Sequence, residues 1–216
     1  MGHPTKNAAV FANLEKPWQI ALETLWECYL EGFYPIAAVI VDDKNEVVSI
    51  GRRRGDKGLI INSAMAHAEM DALVKLRYED HPNIREYTIY TTLEPCPMCM
   101  GSIIMSNLRN VCIAAKDPWA GSIHFCEQDP YIASKNIKVS FADDIVGQVC
   151  NIFMFWRELV NYGDDLPNST VHVAKVFSNE FAVAKEISVD NVMAAFVQNK
   201  VSFCEVYEYI ASKRLD

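Results

Sequence analysis

Two short motifs bring together residue types that bind zinc. One residue separates His67 from Glu69, and two residues separate Cys96 from Cys99. Cysteines with this spacing at the start of a helix direct both sulfur atoms to one point, and the free N–H groups there favour thiolates. Pro97 is tolerated in this first turn because its missing N–H would have no partner there. Since zinc accepts imidazole and thiolate ligands, we predict that His67, Cys96 and Cys99 bind Zn²⁺.

Three protein ligands leave one position of a tetrahedral zinc ion open, which is typical of catalytic zinc. Glu69 is badly placed to bind the same ion but well placed to exchange a proton with a water molecule beside it. Two other interpretations fit parts of the pattern: a redox-active dithiol, or structural zinc with His81 or Cys112 as a fourth ligand. His81 lies in a polar turn before a proline and Cys112 lies in an apolar strand, so neither is a convincing ligand. We therefore predict a catalytic zinc site.

The chain resembles a known family between about residues 17 and 156. His-x-Glu before a strand and Pro-Cys-x-x-Cys directly after it is the signature of zinc-dependent nucleobase deaminases. The segment TLEPCPMCMGS at 92–102 is very similar to one branch of the cytidine deaminase-like superfamily, which contains bacterial tRNA adenosine deaminases and guanine deaminases. HAEMDAL at 67–73 and YPIAAVIV at 34–41 resemble the same branch.

This resemblance implies a mixed five-stranded sheet between helices, normally assembled as a homodimer. It also implies hydrolytic deamination. Zinc lowers the pKa of a water molecule, and Glu69 takes the proton from that water. Hydroxide then attacks the amine-bearing ring carbon, and Glu69 protonates the ring nitrogen and the leaving ammonia.

The basic residues of this chain depart from the usual pattern of that branch. An Asn-Arg pair usually follows the second strand, but here Gly51 is followed by arginines at 52–54. With Lys57 they form the one dense basic cluster of the chain. Arg53 is a candidate for binding a nucleotide phosphate or an RNA backbone, and the alternative is a solvated basic loop. The functional interpretation requires this cluster to lie near the zinc site.

Further residues are candidates for contact with the substrate. Asn62 could supply the amide that the basic segment lacks. Trp119 is predicted either to stack on a base or to pack against the fold. Ala68, Pro95 and Asp117 complete the predicted contacts.

Apolar periodicity predicts helices that alternate with short strands, and therefore a three-layer α/β/α domain whose sheet is largely buried on both faces. Helices are predicted at 17–32, 65–77, 97–104 and 146–160. Strands are predicted at 36–41, 47–50, 87–92, 111–115 and 137–141.

A segment rich in Gly, Asp, Pro and Asn at 162–169 is the best candidate boundary. It divides the chain into a deaminase domain, 1–162, and a small C-terminal extension, 163–216. In the extension we predict a strand at 171–176 and helices at 192–197 and 203–210. Three roles are open for it: covering the pocket, capping the sheet edge, or making an oligomer contact.

Composition limits the class of protein. The 216 residues are 50% hydrophobic, which supports a sizeable core, and the net charge of −8 argues against a protein that coats nucleic acid. The seven cysteines lack the spacing of a disulfide framework, and the longest apolar stretches are far shorter than a membrane span. Residues 1–7 do not have the pattern of a signal peptide. We predict a reduced, cytoplasmic protein without membrane association.

Three functions remain open at this point. The first is an aminohydrolase that acts on a free nucleobase or nucleoside, with a purine favoured over a pyrimidine. The second is a tRNA adenosine-to-inosine deaminase. The third is a non-catalytic zinc-binding subunit of a deaminase complex, which the intact Glu69 disfavours.

Overall fold

The structure, a computed structural model, describes residues 10–54 and 58–213, so Lys57 of the basic cluster lies outside the described residues. The helices are α1 (Lys16–Leu30), α2 (Ala68–Leu73), α3 (Pro97–Met105), α4 (Phe125–Gln128), α5 (Pro130–Ala133), α6 (Asp144–Tyr162), α7 (Asn168–Val176), α8 (Ser178–Val189), α9 (Val192–Asn199) and α10 (Phe203–Lys213). The strands are β1 (Ala37–Val41), β2 (Val47–Arg52), β3 (Thr88–Leu93), β4 (Asn110–Ala115) and β5 (Lys138–Phe141).

The five strands form one mixed sheet in the order β2-β1-β3-β4-β5. Strand β1 pairs antiparallel with both β2 and β3, whereas β3, β4 and β5 run parallel. Parallel neighbours need a crossover, and α3 supplies the connection from β3 to β4. The carboxyl ends of β3 and β4 therefore lie side by side, with Leu93 opposite Ala115.

Strand β1 shows how the sheet is buried on both faces. Its five residues are fully buried and contribute alternately to two hydrophobic clusters. Ala37, Val39 and Val41 pack with residues of α1 and α6, while Ala38 and Ile40 pack with residues of α2 and α3. The period-2 alternation of a strand thus fills both layers. The predicted three-layer α/β/α fold with a mixed five-stranded sheet is confirmed.

The C-terminal extension packs outside α1 and α6. Val183, Ile187, Phe203 and Tyr207 are buried in the same hydrophobic cluster as those two helices. The indole N–H of Trp26 on α1 donates a hydrogen bond to the carbonyl of Val201 at 2.7 Å. The extension therefore shares the core of the preceding helices, and the division at 162 stays a prediction.

The prediction of a strand at 171–176 is wrong, because this segment forms α7. Its valines suggest a strand, but they follow the period of a helix in the folded chain. Thr170 is buried and Val173 packs against the core, whereas Val171 and Val176 are 40% and 55% exposed. Contact with α6 and α8 stabilises the helix and overrides the β propensity of the valines.

The helix predicted at 65–77 is shorter than expected. The N–H of Met65 donates to the carbonyl of Asn62, which closes a turn, and His67 then has extended backbone angles. Helix α2 begins only at Ala68, so His67 is its N-cap residue. The turn places Met65, which is 43% exposed, outside the helix and its apolar face.

None of the helices within 10–54 and 58–213 combines the length and the hydropathy that crossing a membrane requires.

We predict that Gly51→Ala destabilises the fold. A Cβ at Gly51 would lie 2.0 Å from the carbonyl oxygen of Ala68 and 2.4 Å from the nitrogen of Ala72, both in α2. The substitution must push α2 away from β2, which is expected to lower the free energy of unfolding by about 1–3 kcal/mol. The matched control is Gly101→Ala in α3, where a Cβ meets no atom within 4 Å and should stabilise the helix by up to ~1 kcal/mol. Urea denaturation of the two variants tests this, and equal stabilities would contradict it.

Candidate functional site

The predicted ligands lie at the beginnings of two helices. His67 is the N-cap residue of α2, Cys96 is the N-cap residue of α3, and Cys99 lies in the first turn of α3. Pro97 occupies the first helical position, as predicted. Both helices direct their unpaired N–H groups and the positive ends of their dipoles toward this region, which favours anionic sulfur there.

The distances between these side chains fit a tetrahedral zinc ion. The Nδ1 atom of His67 lies 3.7 Å from Sγ of Cys96 and 3.5 Å from Sγ of Cys99. Ordinary Zn–N and Zn–S bonds at a tetrahedral angle separate nitrogen and sulfur by about 3.6 Å. Within 10–54 and 58–213, the group able to hold a metal consists of these three residues, so the donor set is one imidazole and two thiols. The donors present fit zinc and leave its fourth position to another ligand.

The two thiols share a proton unequally. The hydrogen bond with Cys99 is the largest of the effects that lower the pKa of Cys96 to about 3. The same bond, together with burial, raises the pKa of Cys99. One sulfur is therefore a thiolate, the form that binds metal, at neutral pH.

Glu69 lies two residues after His67, in the first turn of α2. Only 4% of Glu69 is exposed, and its Oε2 atom accepts a hydrogen bond from the thiol of Cys99 at 3.4 Å. Burial raises the pKa of its carboxyl. Glu69 is not among the residues of the metal-binding group, but it lines the adjoining cavity, where a substrate would meet it.

A cavity of about 280 Å³ opens beside the metal-binding group. The segment before β1, the ends of β3 and β4, and the beginnings of α2 and α3 line it. Helices α6 and α7 complete the lining. Its wall comprises Tyr34, Ile36, Arg53, His67, Ala68, Glu69, Leu93, Glu94, Cys96, Lys116, Asp117, Trp119, Ala120, Asn151, Met154, Phe155, Glu158, Ser169, Thr170 and Val173.

The α6 side of this cavity was not predicted from the sequence. Asn151, Met154, Phe155 and Glu158 line it, at spacings of three, four and seven residues along one helical face. Asn151 and Glu158 are both buried, at 6% and 4% exposed. The signal that the sequence offered was the position of Asn151 and Glu158 on the buried face of α6.

The residues predicted to contact substrate divide into two groups. Arg53, Ala68, Asp117 and Trp119 line the cavity. Pro95 and Asn62 are not part of its wall. The carbonyl of Pro95 accepts a hydrogen bond from the N–H of Ser122, and the side chain of Asn62 accepts one from the N–H of Ala64 in an exposed turn. Their contacts with substrate stay predictions.

The arginine cluster separates within the fold. Arg53 lies at the cavity, where its guanidinium stands 5.5 Å from the ring centre of Tyr34. Arg52 forms salt bridges with Glu27 and Glu31 of α1, at 3.0 and 3.2 Å. Arg54 borders a different groove that it shares with Arg52. Successive residues of an extended segment point in opposite directions, so Arg53 alone among the three faces the cavity.

The loop that carries Trp119 is fastened to the metal-binding segment by Glu94, a buried carboxylate. Its two oxygens accept hydrogen bonds from the N–H groups of Asp117 and Ile123, each at 3.2 Å. Trp119 is 56% exposed, and its ring lies edge to face with that of His172 on α7 at 5.4 Å. The loop and the extension therefore meet at the rim of the cavity.

Comparison with known proteins agrees with this site. Residues 12–115 match the family described as the cytidine and deoxycytidylate deaminase zinc-binding region. A tRNA-specific adenosine deaminase of Haemophilus influenzae is 33% identical over 156 residues, which cover 67% of this chain and 85% of that protein. A cytosine deaminase of Candida albicans is 33% identical over 97 residues, which cover 45% of this chain and 63% of that protein.

Solved structures of deaminases are also similar to part of this chain. One comes from a study of A-to-I editing by tRNA:A34 deaminases at the wobble position, with a TM-score of 0.49 and 24% identity over 58% of this chain and 96% of that chain. Another is a guanine deaminase from Nitrosomonas europaea, with a TM-score of 0.46 and 20% identity over 59% of this chain and 76% of that chain. The zinc-binding region and the extent of the Haemophilus match decide the family. The chain belongs to the cytidine deaminase-like superfamily.

Proposed function

We propose that this protein is a zinc-dependent hydrolytic deaminase that releases ammonia from a free nucleobase or nucleoside, with a purine as the preferred substrate. The observation that carries the proposal is the cavity, because Glu69 and the ligands His67 and Cys96 line it together with residues of α6 and α7. Ligand pockets usually measure about 300–1,000 Å³. A cavity of about 280 Å³ lies just below this range and suits a single base or nucleoside.

The lining supports a flat, partly apolar ligand. Ile36, Leu93, Met154, Phe155 and Val173 supply apolar contact surface around the cavity. Polar and charged side chains, among them Glu69, Lys116 and Asn151, alternate with this surface and can fix the orientation of a ligand by hydrogen bonds. A planar heterocycle has apolar faces for this surface and polar edge atoms for such hydrogen bonds.

The side chains have distinct roles in this proposal. When bound, zinc lowers the pKa of a water molecule toward neutrality and so provides a nucleophile at physiological pH. Glu69 takes a proton from the attacking water, passes it to the ring nitrogen beside the amine-bearing carbon, and assists departure of the amine as ammonia. His67, Cys96 and Cys99 hold the metal, and Glu94 fixes the loop that closes the rim. The net reaction consumes one water and replaces the ring amine with a carbonyl.

A second candidate is deamination of an adenosine flipped out of a tRNA loop. The similarity to the Haemophilus tRNA-specific adenosine deaminase over 85% of its length favours it. Arg53 at the cavity would then contact an RNA phosphate. The net charge of −8 and the border that α7 makes with the cavity disfavour a large polyanionic substrate.

Ammonia release by the zinc-loaded full chain separates the two candidates. The substrates are guanine, adenine and cytosine, their nucleosides, and a tRNA anticodon stem-loop that carries adenosine, each at low and high salt. We expect a free purine or purine nucleoside to be deaminated at a rate that salt changes little. Deamination of the stem-loop alone, falling steeply with salt, would replace our proposal with the second candidate. A cytosine or cytidine preference would overturn the purine assignment.

A further inference from the structure

Asn151 is a buried amide that the fold itself does not use. It lies on α6 in the cavity wall, and only 6% of the residue is exposed. Within 10–54 and 58–213 no hydrogen bond joins its side chain to another residue, and its amide atoms are not among the fully buried unpaired atoms, so they keep access to the cavities that the residue borders. Polar side chains this deep in a fold are nearly always paired with protein or water, so an amide without a protein partner beside a cavity is available to water or to a ligand.

The other buried acidic groups of the cavity wall are already engaged. Glu94 accepts two backbone hydrogen bonds from the rim loop. Glu158 accepts a hydrogen bond from the hydroxyl of Thr170 at 3.2 Å and pairs with the guanidinium of Arg157. Glu69 is assigned to proton transfer. The amide of Asn151 therefore remains available to a ligand.

A carboxamide has both a donor and an acceptor to satisfy. Its NH₂ group donates two hydrogen bonds and its oxygen accepts two. A ligand that excludes water from the cavity must therefore offer an acceptor and a donor side by side. The lactam edge of a base, where a ring N–H adjoins a carbonyl, offers both. Adenosine lacks this edge, because its ring nitrogens are acceptors and its amine must face Glu69 and the metal-binding group.

We infer that Asn151 binds the lactam edge of the substrate base and thereby selects guanine or guanosine over adenosine. The inference rests on the proposed function, since it takes the cavity as the substrate site. It also accounts for the absence of an Asn in the segment 51–54, because the amide that reads the base comes from α6 instead. Asn151 is then a specificity-determining residue, distinct from the proton-transferring Glu69.

The test compares the binding of two probes that are not deaminated. Hypoxanthine carries the N1–H and C6 carbonyl of a lactam, and unsubstituted purine lacks both. We expect calorimetry to show that the zinc-loaded protein binds hypoxanthine more tightly than purine. Asn151→Leu, which has similar size and no hydrogen-bonding group, should weaken hypoxanthine binding by roughly tenfold and leave purine binding unchanged. Asn151→Asp, which cannot donate, should also lose the preference.

Thermal stability separates binding from a structural role. Because Asn151 has no partner among the described residues, Asn151→Leu should melt at or above the wild-type temperature. If the amide of Asn151 stabilised the fold instead, Asn151→Leu would melt below the wild-type temperature. The matched control is Gln148→Leu, an amide one turn earlier on α6 that borders a neighbouring cavity and not this one. It should leave the binding of both probes unchanged.

Asn151 also borders the neighbouring cavity that Gln148 lines. The binding of the two probes therefore decides whether its amide contacts a ligand in the site. If the preference for hypoxanthine survives in Asn151→Leu, the amide does not read the lactam and the inference is overturned, whether or not the protein deaminates a base. If the preference disappears but the wild type deaminates nothing, the contact of Asn151 with the lactam edge of a bound base stands and the proposed function fails. If the wild type shows no preference at all, the inference is wrong.

Discussion

Replacing Glu69 with glutamine is expected to lower kcat by about 10²- to 10⁴-fold while the zinc content stays at the wild-type level. Glutamine keeps the size of the side chain but cannot take a proton from water and return it to the ring and the amine. All three metal-binding side chains remain, and Glu69 is not one of them. Ammonia release and metal analysis on the same preparation measure the two effects separately.

Asp71→Asn is the matched control for Glu69→Gln. Asp71 is a second buried carboxylate of α2, and it accepts hydrogen bonds from the N–H of Arg52 at 3.1 Å and from Nζ of Lys75 at 2.7 Å. Its substitution should lower stability, because a charged hydrogen-bond partner is lost, but kcat should keep its order of magnitude. Wild-type kcat in Glu69→Gln would refute the role of this residue. Loss of zinc from that variant would show that Glu69 helps to hold the metal.

Cys96→Ala is expected to lose zinc and stability together. The thiolate of Cys96 is one of three donors, and its Sγ lies 3.7 Å from Nδ1 of His67. A metal that binds only the folded chain stabilises it, by about 4 kcal/mol when its free concentration is a thousand times the dissociation constant. Adding zinc should therefore raise the melting temperature of the wild type and leave that of Cys96→Ala unchanged.

Cys112→Ala separates this effect from the loss of any partly buried thiol. Cys112 lies on β4, outside the metal-binding group of the described residues. It should keep the zinc content and the zinc-dependent rise in melting temperature. An equal rise in Cys96→Ala would contradict the assigned ligand, and loss of the rise in Cys112→Ala would restore that residue as a candidate ligand.

The metal-binding group could be predicted from sequence because its geometry is local. Cys96 and Cys99 meet within one turn of α3, and His67 needs only the N-terminus of α2 beside it. The alternation of helices and strands was likewise readable, since β1 and β4 are short apolar runs and α6 has a long apolar face. Each motif or element depends on neighbours within a few residues, and the family signature pairs the histidine motif with the cysteine motif.

The far wall of the cavity depends on contacts between distant segments and could not be predicted. Asn151 reaches the cavity because α6 packs on β4, where a Cβ at Gly147 would lie 2.5 Å from the carbonyl of Ala114. The valines of α7 favoured a strand, and only packing against α6 and α8 makes the helix that places Thr170 at the cavity. Spacing along the chain contains none of this information.

The basic segment shows a third limit of sequence reasoning. Three consecutive arginines suggest one function, but their side chains face different parts of the molecule. Arg52 binds the acidic residues of α1, and Arg53 reaches the cavity. The division follows from the extended backbone at the end of β2, whose pairing with β1 sets which residues face inward.

The central claim is that zinc at this site enables deamination, and titration of the metal-free full chain with zinc tests it most directly. Ammonia release from the best free base or nucleoside is measured at each addition, together with bound zinc per chain. We predict that the rate rises in proportion to bound zinc and stops rising at about one zinc per chain, as expected for three ligands and one open position. A chain fully loaded with zinc that releases no ammonia from any base, nucleoside or RNA stem-loop would contradict the account.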